Sequence, residues 1–216
     1  MRRRTPGSAL ALGVSAAVVV LAACTADTDP SGPTETSAPP TSSSAATTAS
    51  ATATAEPVAL PGNCGALLPV TDLDAALGTG LPGSVSYVRG QPLPDIGRTD
   101  RITCGYGVAI GPDGKALPPL LEISISSYTD VPAAADRIDV TTADRQSAGD
   151  RVEAADVAGS PAVVLTGVAG TTLVFAAGAS TYSLTLLPAV VPPEQTAERL
   201  IAVAEAVLDQ SSAPPT

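Results

Sequence analysis

Carboxylates are the side chains of this chain that could do acid–base or metal chemistry, because the sequence contains no histidine. Its absence excludes Ser-His-Asp and Cys-His catalysis, histidine metal sites and histidine pH switches. Two acidic groups are close in sequence: Asp72 with Asp74, and Asp150 with Glu153 and Asp156. The first pair suits the positive end of a helix, and the second lacks the dense oxygen spacing of a calcium loop. Neither group predicts a catalytic or metal site.

Other chemistry-bearing side chains are also few. Lys115 is the only lysine, and it lies beside a predicted hairpin turn rather than in the desolvated setting of a general base. Gly167 and Gly170 have no helix after them, so they do not predict a phosphate-binding loop. The tyrosines lie on predicted strands, where partly buried packing is expected: Tyr87, Tyr106, Tyr128 and Tyr182. We therefore predict no catalytic residue, no cofactor and no metal.

Composition limits the classes of partner. The 216 residues carry a net charge of −10, with no tryptophan and one phenylalanine. Nucleic-acid binding depends on basic residues that neutralise phosphates and on aromatic platforms that stack on bases, so this class is not expected. The length allows one ordinary domain, which we assign to residues 61–210, together with appendages at both ends.

Residues 1–23 have the organisation of an export signal rather than of a folded segment. Three arginines at positions 2–4 precede an apolar run over residues 9–23, which is short for a membrane-spanning helix. The run ends at Leu21-Ala22-Ala23-Cys24, which resembles the lipobox of bacterial lipoproteins and implies diacylglycerol on Cys24. An ordinary signal peptide and an uncleaved signal anchor are the alternatives. The arginine run lacks the twin-arginine consensus, which favours the general secretory route.

A segment of low complexity follows the lipobox and extends to residue 60. Ala, Ser, Thr and Pro make up 29 of the 36 residues from 25 to 60. Such a segment buries too little apolar surface to offset the entropy of ordering it. We predict that residues 24–60 form a lipidated, disordered tether that spans roughly 30–36 Å. Residues 211–216 are predicted to form a disordered tail.

Two cysteines remain if Cys24 carries lipid: Cys64 and Cys104. In an oxidising compartment they are expected to form a disulfide bond, and free thiols or a metal site are the alternatives. Two cysteines without histidine make a poor zinc site. The bond would close a loop of about 41 residues and stabilise the fold by about 4 kcal/mol in the loop-entropy model.

Helix signals occur at three places in the folded domain. Thr71 and Asp74 have the spacing of a capping box before a short helix, which the glycine after Leu77 would end. Asp130 is predicted to cap a second helix over residues 132–143. Pro192 and the next proline open the last helix, whose apolar residues recur at helical spacing up to residue 209.

Strand signals fill the intervals between these helices. Apolar and polar residues alternate at Leu121, Glu122, Ile123 and Ser124, which is the period of a half-buried strand. Gly- and Ser-containing breaks separate the segments. Predicted strands cover residues 84–89, 102–110, 120–128, 151–156, 161–166, 171–177 and 181–187. We therefore predict an α+β fold, with an antiparallel sheet of about six to seven strands flanked by helices.

Three further motifs carry a family resemblance: Asn63-Cys64-Gly65-Ala66-Leu67-Leu68, Ile102-Thr103-Cys104-Gly105-Tyr106 and Ala204-Glu205-Ala206-Val207-Leu208. With the lipobox and the tether, they resemble actinobacterial, mycobacterial-type cell-envelope lipoproteins of uncharacterised function. They are similar, more loosely, to the sensor domain of a mycobacterial receptor kinase. The resemblance implies a PsbP-like α/β/α sandwich with two cysteines.

These expectations define a function class. We expect a lipid-anchored protein on the extracytoplasmic face of the cell membrane, which displays a non-catalytic domain that binds a ligand or a protein. The expected partners are the membrane, through Cys24, and an apolar small ligand or an envelope protein. An accessory or scaffolding subunit of an envelope complex is the alternative. A carboxylate-dependent hydrolase of envelope glycans is the least favoured.

Overall fold

A computed structural model describes residues 59–188 and 190–212 of the chain. The predicted export signal, Cys24, the tether as far as residue 58 and residues 213–216 lie outside this part. Among the described residues, no helix has both the length and the apolar character needed to span a bilayer.

Seven strands form one antiparallel sheet in the order β1-β2-β3-β7-β6-β5-β4. They are β1 (Ser84–Gly90), β2 (Arg98–Val108), β3 (Leu121–Tyr128), β4 (Arg151–Val157), β5 (Ser160–Gly167), β6 (Gly170–Ala177) and β7 (Ser180–Leu186). Consecutive strands pair through hairpins, except that β3 joins β7 and the chain crosses from β3 to β4 through a helix. The predicted α+β class is confirmed, and the PsbP-like relationship stays a prediction.

Helices cover both faces of this sheet. They are α1 (Cys64–Leu67), α2 (Val70–Leu77), α3 (Val131–Ser147) and α4 (Thr196–Ser212), with short 3-10 turns at Pro94–Ile96 and Pro193–Gln195. Helix α1 is an element that the sequence did not predict. Helix α4 extends to Ser212, so it includes the first two residues of the predicted tail.

The main hydrophobic core lies between one face of the sheet and the layer formed by α1, α2 and α4. Every second residue of the central strands points into it, and the apolar side of α4 packs against them. Its fully buried members include Ile102, Tyr106, Ile123, Leu173, Phe175, Leu184, Leu200, Val203 and Val207. This layer buries most of the apolar area that stabilises the fold.

Helix α3 lies on the opposite face, which carries the alternate residues of the strands. Asp130 caps the helix as predicted: its Oδ1 accepts a hydrogen bond from the backbone N–H of Ala133 at 2.8 Å. Ala134 is the one residue of α3 that is fully buried. This face is therefore not a second extended apolar core: it buries a few apolar side chains, such as Leu165 and Val174, beside buried hydroxyl groups.

The capping box predicted at Thr71 and Asp74 is wrong. Helix α2 begins at Val70 after Pro69, and no side chain caps it. Proline has a fixed φ that suits the entry to a helix, so the helix starts earlier than the Thr71 signal suggested. The predicted end is confirmed, since Gly78 has the left-handed φ of 76° that terminates many helices.

Candidate functional site

Three arginines line a cleft between α3 and the sheet. Arg98 and Arg101 project from β2, and Arg137 projects from α3. The cleft encloses about 280 Å³. Other side chains along it are mostly hydroxyl-bearing, with an apolar minority: Ser124, Ser126, Tyr128, Thr141, Thr181, Tyr182, Ser183, Leu93, Ile96, Ile138 and Val174. We call this space the arginine cleft.

A β-bulge brings Arg98 and Arg101 to the same face of the sheet. Side chains alternate along a strand, so residues three apart normally point to opposite faces. Here Arg98 pairs with Tyr128 and Asp100 pairs with Ser127, which leaves one extra residue in β2 between the two pairs. The extra residue restores the parity, and both arginines line the cleft.

Arg101 is held by two hydroxyl groups on neighbouring strands. Its Nε donates to Thr103 Oγ1 at 3.2 Å and to Ser124 Oγ at 2.9 Å. Those two oxygens lie 2.8 Å apart and share a hydrogen bond. This network fixes the Nε end of the Arg101 guanidinium group. The two terminal nitrogens of that group take no part in the contacts with these hydroxyl groups.

The other two guanidinium groups have fewer partners in the described structure. Arg98 Nη2 donates to the carbonyl oxygen of Gln91 at 3.1 Å, whereas its buried Nε has no hydrogen-bond partner among the described residues. Arg137 is half-buried on α3, and its backbone carbonyl accepts a bond from Thr141 Oγ1 at 2.8 Å. A buried donor without an acceptor is unfavourable and marks a site that an acceptor would complete.

The electrostatic character of the cleft contrasts with that of the whole chain. None of the described residues that line it is acidic. The ion pairs in the described part involve other residues: Arg89 with Asp100, Lys115 with Asp113, Arg145 with Asp150, and Arg151 with Glu153. A protein of net charge −10 thus gathers three guanidinium groups in one place, and none of them forms an ion pair with a described carboxylate. Asp95 and Asp136 lie with Arg137 on the adjoining opening rather than in the cleft.

The hydroxyl groups on the sheet side of the cleft include those on the polar side of β3. Ser124 and Ser126 alternate with apolar residues of β3, as predicted, but each is only 7% exposed because α3 covers this face. Thr181 of β7 is buried beside them. Sequence reasoning missed the arginines. The signal that could have found the site is the hydroxyl residue at every second position of two strands that turn out to be neighbours.

The acidic residues considered as a catalytic pair have separate structural settings. Asp72 lies in the first turn of α2, as the helix-dipole interpretation predicts, and its Oδ2 accepts a bond from Gln210 Nε2 at 3.1 Å. Asp74 lies one turn later, so the dipole interpretation is wrong for it. Its Oδ1 is buried without a hydrogen-bond partner among the described residues.

The second acidic group is dispersed over β4 and the residue before it. Asp150 pairs with Arg145, Glu153 lies 3.5 Å from Arg151, and Asp156 accepts a bond from the turn after the strand. Within the described part of the chain, no three cysteine, aspartate or glutamate side chains gather closely enough to hold a metal ion.

The single lysine has an exposed ion pair. Lys115 Nζ lies 3.6 Å from Asp113 at the tip of the β2–β3 connection, where both side chains face solvent. This tip forms the turn predicted there, since the amide of Gly114 donates to the carbonyl oxygen of Gly111 at 2.9 Å.

The tyrosines divide into three buried side chains and one exposed one. Tyr106 is buried, its hydroxyl donates towards the carbonyl oxygens of Cys64 and Leu68 at 3.1 and 3.2 Å, and burial raises its pKa to about 12. Tyr182 stacks on Phe175 with ring centroids 4.7 Å apart, and burial raises its pKa while a hydrogen bond to Ser211 lowers it. Tyr128 is buried beside the arginine cleft. The expected burial is wrong for Tyr87, which is 55% exposed because β1 is an edge strand.

The predicted disulfide bond between Cys64 and Cys104 is present. It joins the first residue of α1 to the middle of β2, with Cα atoms 5.6 Å apart and both side chains buried. Tyr106, two residues along β2, bonds to the same helix. The disulfide and Tyr106 together attach α1 to the sheet.

Two further openings lie elsewhere on the sheet. A cavity of about 370 Å³ near the start of α4 is lined by Arg151, Glu153 and Glu194 and by the hairpin glycines Gly167 and Gly170. Its two carboxylates are exposed, and one faces an arginine, so they lack the apolar surroundings of a glycosidase's general acid.

The second opening is an apolar groove of about 430 Å³. Pro82, Ala109, Leu117, Leu120 and Leu187 line it at the end of β2. The groove is the described feature that corresponds most directly to the apolar ligand expected from the sequence, but it has no polar group that would orient a ligand.

The chain is similar in structure to the extracellular domain of PknH from Mycobacterium tuberculosis. The match has 13% sequence identity and a TM-score of 0.41, and it covers 70% of this chain and 97% of that chain. No protein-family model matches the chain, and no curated protein matches it.

Proposed function

We propose that the chain is a lipid-anchored extracytoplasmic protein whose folded domain binds a small polar ligand in the arginine cleft, without catalysing a reaction on it. The observation that carries this proposal is the cleft itself. Its guanidinium and hydroxyl groups face a space of about 280 Å³, and one buried guanidinium nitrogen has no partner among the described residues. Convergent polar groups in a concave space are the usual mark of a ligand site.

The polar lining of the cleft favours a polar ligand, whereas an apolar small ligand was expected from the sequence. An apolar ligand in this cleft would leave the guanidinium groups and the hydroxyl floor without acceptors, which is unfavourable. An accessory subunit without a ligand would likewise leave these guanidinium groups without acceptors. Both arguments favour a ligand that is rich in hydrogen-bond acceptors.

The non-catalytic part of the proposal rests on the chemistry of the lining. Arginine does not titrate in proteins and serves poorly as a general base, and no histidine exists in the chain. The serine and threonine hydroxyls of the floor have no adjacent base to activate them. The cleft therefore suits recognition better than turnover.

The anchoring part of the proposal rests on the sequence at Cys24, which lies outside the described residues. A diacylglyceryl group supplies two acyl chains at about 0.8 kcal/mol per buried methylene, which gives stable attachment where one chain would be marginal. Cys24→Ala should leave an unprocessed precursor or release the protein to the medium. Unchanged size and membrane retention, with no acyl-labelled band in the wild type, would contradict it.

The ligand is tested by native mass spectrometry of the full chain recovered from its own envelope. Thr141→Trp should fill the cleft from the α3 side and remove a bound polar molecule that the wild type carries. Ala135→Trp is the matched control, because Ala135 lies on the same helix and its side chain is exposed away from the cleft lining. A wild type that carries no polar molecule, or a Thr141→Trp variant that keeps it while folded by circular dichroism, refutes the cleft as the site.

A further inference from the structure

We propose that the arginine cleft recognises a phosphoryl group of its ligand, an inference that rests on the proposed ligand-binding role of the cleft. The cleft has three guanidinium groups and no acidic residue among its described lining. Their positive charge is balanced by no ion pair in the described part of the chain. An anionic ligand would supply the missing charge.

The donors reach the cleft from two sides. Arg98 and Arg101 approach from the sheet and Arg137 approaches from α3, so an anion between them meets donors above and below. Thr103 and Ser124 hold Arg101 by its Nε, which leaves its terminal nitrogens for another acceptor. Without the β-bulge at residues 98–100, the alternation of side chains along β2 would place Arg98 on the face opposite Arg101, away from the cleft.

This arrangement favours a phosphoryl group over a carboxylate. A carboxylate has two oxygens in one plane, and a single guanidinium group can satisfy both of them. A phosphate monoester has three terminal oxygens in a tetrahedral arrangement and a charge between −1.5 and −2 near neutral pH. Three guanidinium groups that line one cleft, with hydroxyl donors beside them, match the phosphoryl group in charge and in the number of donors it needs.

The rest of the ligand has a different surface to contact. Leu93 and Ile96 border the cleft at the β1–β2 connection and are partly exposed. A phosphate ester with some carbon framework could lie against them, with its phosphoryl group directed inward. A soluble phosphate ester and a phospholipid head group both have this chemistry, so the experiment must separate them.

Calorimetry of the full chain in mild detergent tests the proposal with glycerol 3-phosphate, with glycerate as the carboxylate probe and glycerol as the neutral one. We expect saturable binding of glycerol 3-phosphate, at least about tenfold weaker binding of glycerate, and none of glycerol. Arg98→Gln and Arg137→Gln should each weaken the phosphate ester by about 10- to 100-fold. Arg151→Gln removes the same charge on the other face of the sheet and should change nothing.

Arg101 requires a different variant, because its loss also removes a buried hydroxyl network. Arg101→Lys keeps the positive charge but not the forked donors, so it should weaken binding while the melting temperature shows that the fold is intact.

Co-sedimentation with phosphatidylcholine vesicles, with and without phosphatidic acid, tests whether the phosphoryl group belongs to a lipid. Binding that requires phosphatidic acid in the vesicle and does not occur with the soluble ester assigns a lipid head group.

The outcomes separate this inference from the proposed function. Glycerate bound as tightly as glycerol 3-phosphate, or Arg98→Gln and Arg137→Gln variants that bind the ester like the wild type, would overturn the phosphoryl assignment. Failure of both the soluble ester and the phosphatidic acid vesicles would overturn it as well. The proposed function would still stand after these results if native mass spectrometry finds a different polar molecule that Thr141→Trp no longer carries. If no such molecule is found, the proposed function is refuted together with the phosphoryl assignment.

Discussion

Replacing Cys64 and Cys104 together by alanine should lower the melting temperature of the full chain by about 5–15 °C. The bond spans 40 residues of sequence, and the loop-entropy model gives about 4 kcal/mol for a loop of that length. Measured losses of native disulfides are typically about 2–4 kcal/mol, and a domain of this size melts about 2–4 °C lower for each kcal/mol. The structure adds a local expectation: α1 should detach before the sheet does.

Differential scanning calorimetry at one pH measures the shift, and amide hydrogen exchange reports on α1. Cys24→Ala is the matched control, because it removes a third cysteine without touching the bond and should leave the melting temperature unchanged. Tyr106 bonds to the same helix, so combining Tyr106→Phe with the double alanine variant should give a loss that is not additive. An unchanged melting temperature with equal protection of α1 would refute the argument.

Burial raises the pKa of Tyr106 from 10.0 to about 12, so its stabilising effect is complete below pH 10 and is lost as the pH rises towards 12. Urea unfolding from pH 9 to 12 should show that the free energy of unfolding declines by about 2–3 kcal/mol because of this group. In Tyr106→Phe, only the pH dependence due to Tyr182 should remain, and the same decline in that variant as in the wild type would contradict this. Asp130→Ala should lower the free energy of unfolding by about 1 kcal/mol because it removes the cap of α3, whereas Asp136→Ala, at an exposed residue of the same helix, should change it little. Equal melting temperatures of these two variants would contradict the role of the cap. Gly78→Ala should destabilise the chain by about 1 kcal/mol in denaturant titration because Gly78 has a φ of 76°, and a neutral result would mean that the end of α2 relaxes.

The architecture could be read from the sequence because local signals and packing agree in most of this chain. Strands such as β3 alternate apolar and polar residues, short Gly-containing turns separate β4 to β7, and Asp130 precedes a helix at the usual capping position. Two cysteines on elements distant in sequence predicted the bond that joins them. Apart from the cysteine pair, these features are local, so one sequence displays them.

The arginine cleft could not be predicted in the same way, since two non-local facts create it. Arg98 and Arg101 have a spacing that predicts opposite faces, and the bulge that unites them has no marker in the sequence. Ser124 and Ser126 have the pattern of a solvent-facing side, because nothing in β3 reveals that α3 will cover them. The start of α2 was missed for a similar reason, since Thr71 and Asp74 gave a strong local signal inside a helix that had already begun.

The strand order has a consequence for how fast the chain folds. Strands β4 to β7 form successive hairpins, and so do β1 to β3, so each group can assemble from contacts between near neighbours in sequence. Their junction is different: Leu121 pairs with Leu186, and Ser127 pairs with Ser180, across an intervening segment that contains α3 and three strands. Closing that segment costs entropy before its contacts form, so this junction should limit the folding rate. Truncating Ile123 or Leu184 should therefore lower the refolding rate in stopped-flow experiments. Truncating Ala155, which lies in the edge strand β4, should chiefly change the unfolding rate.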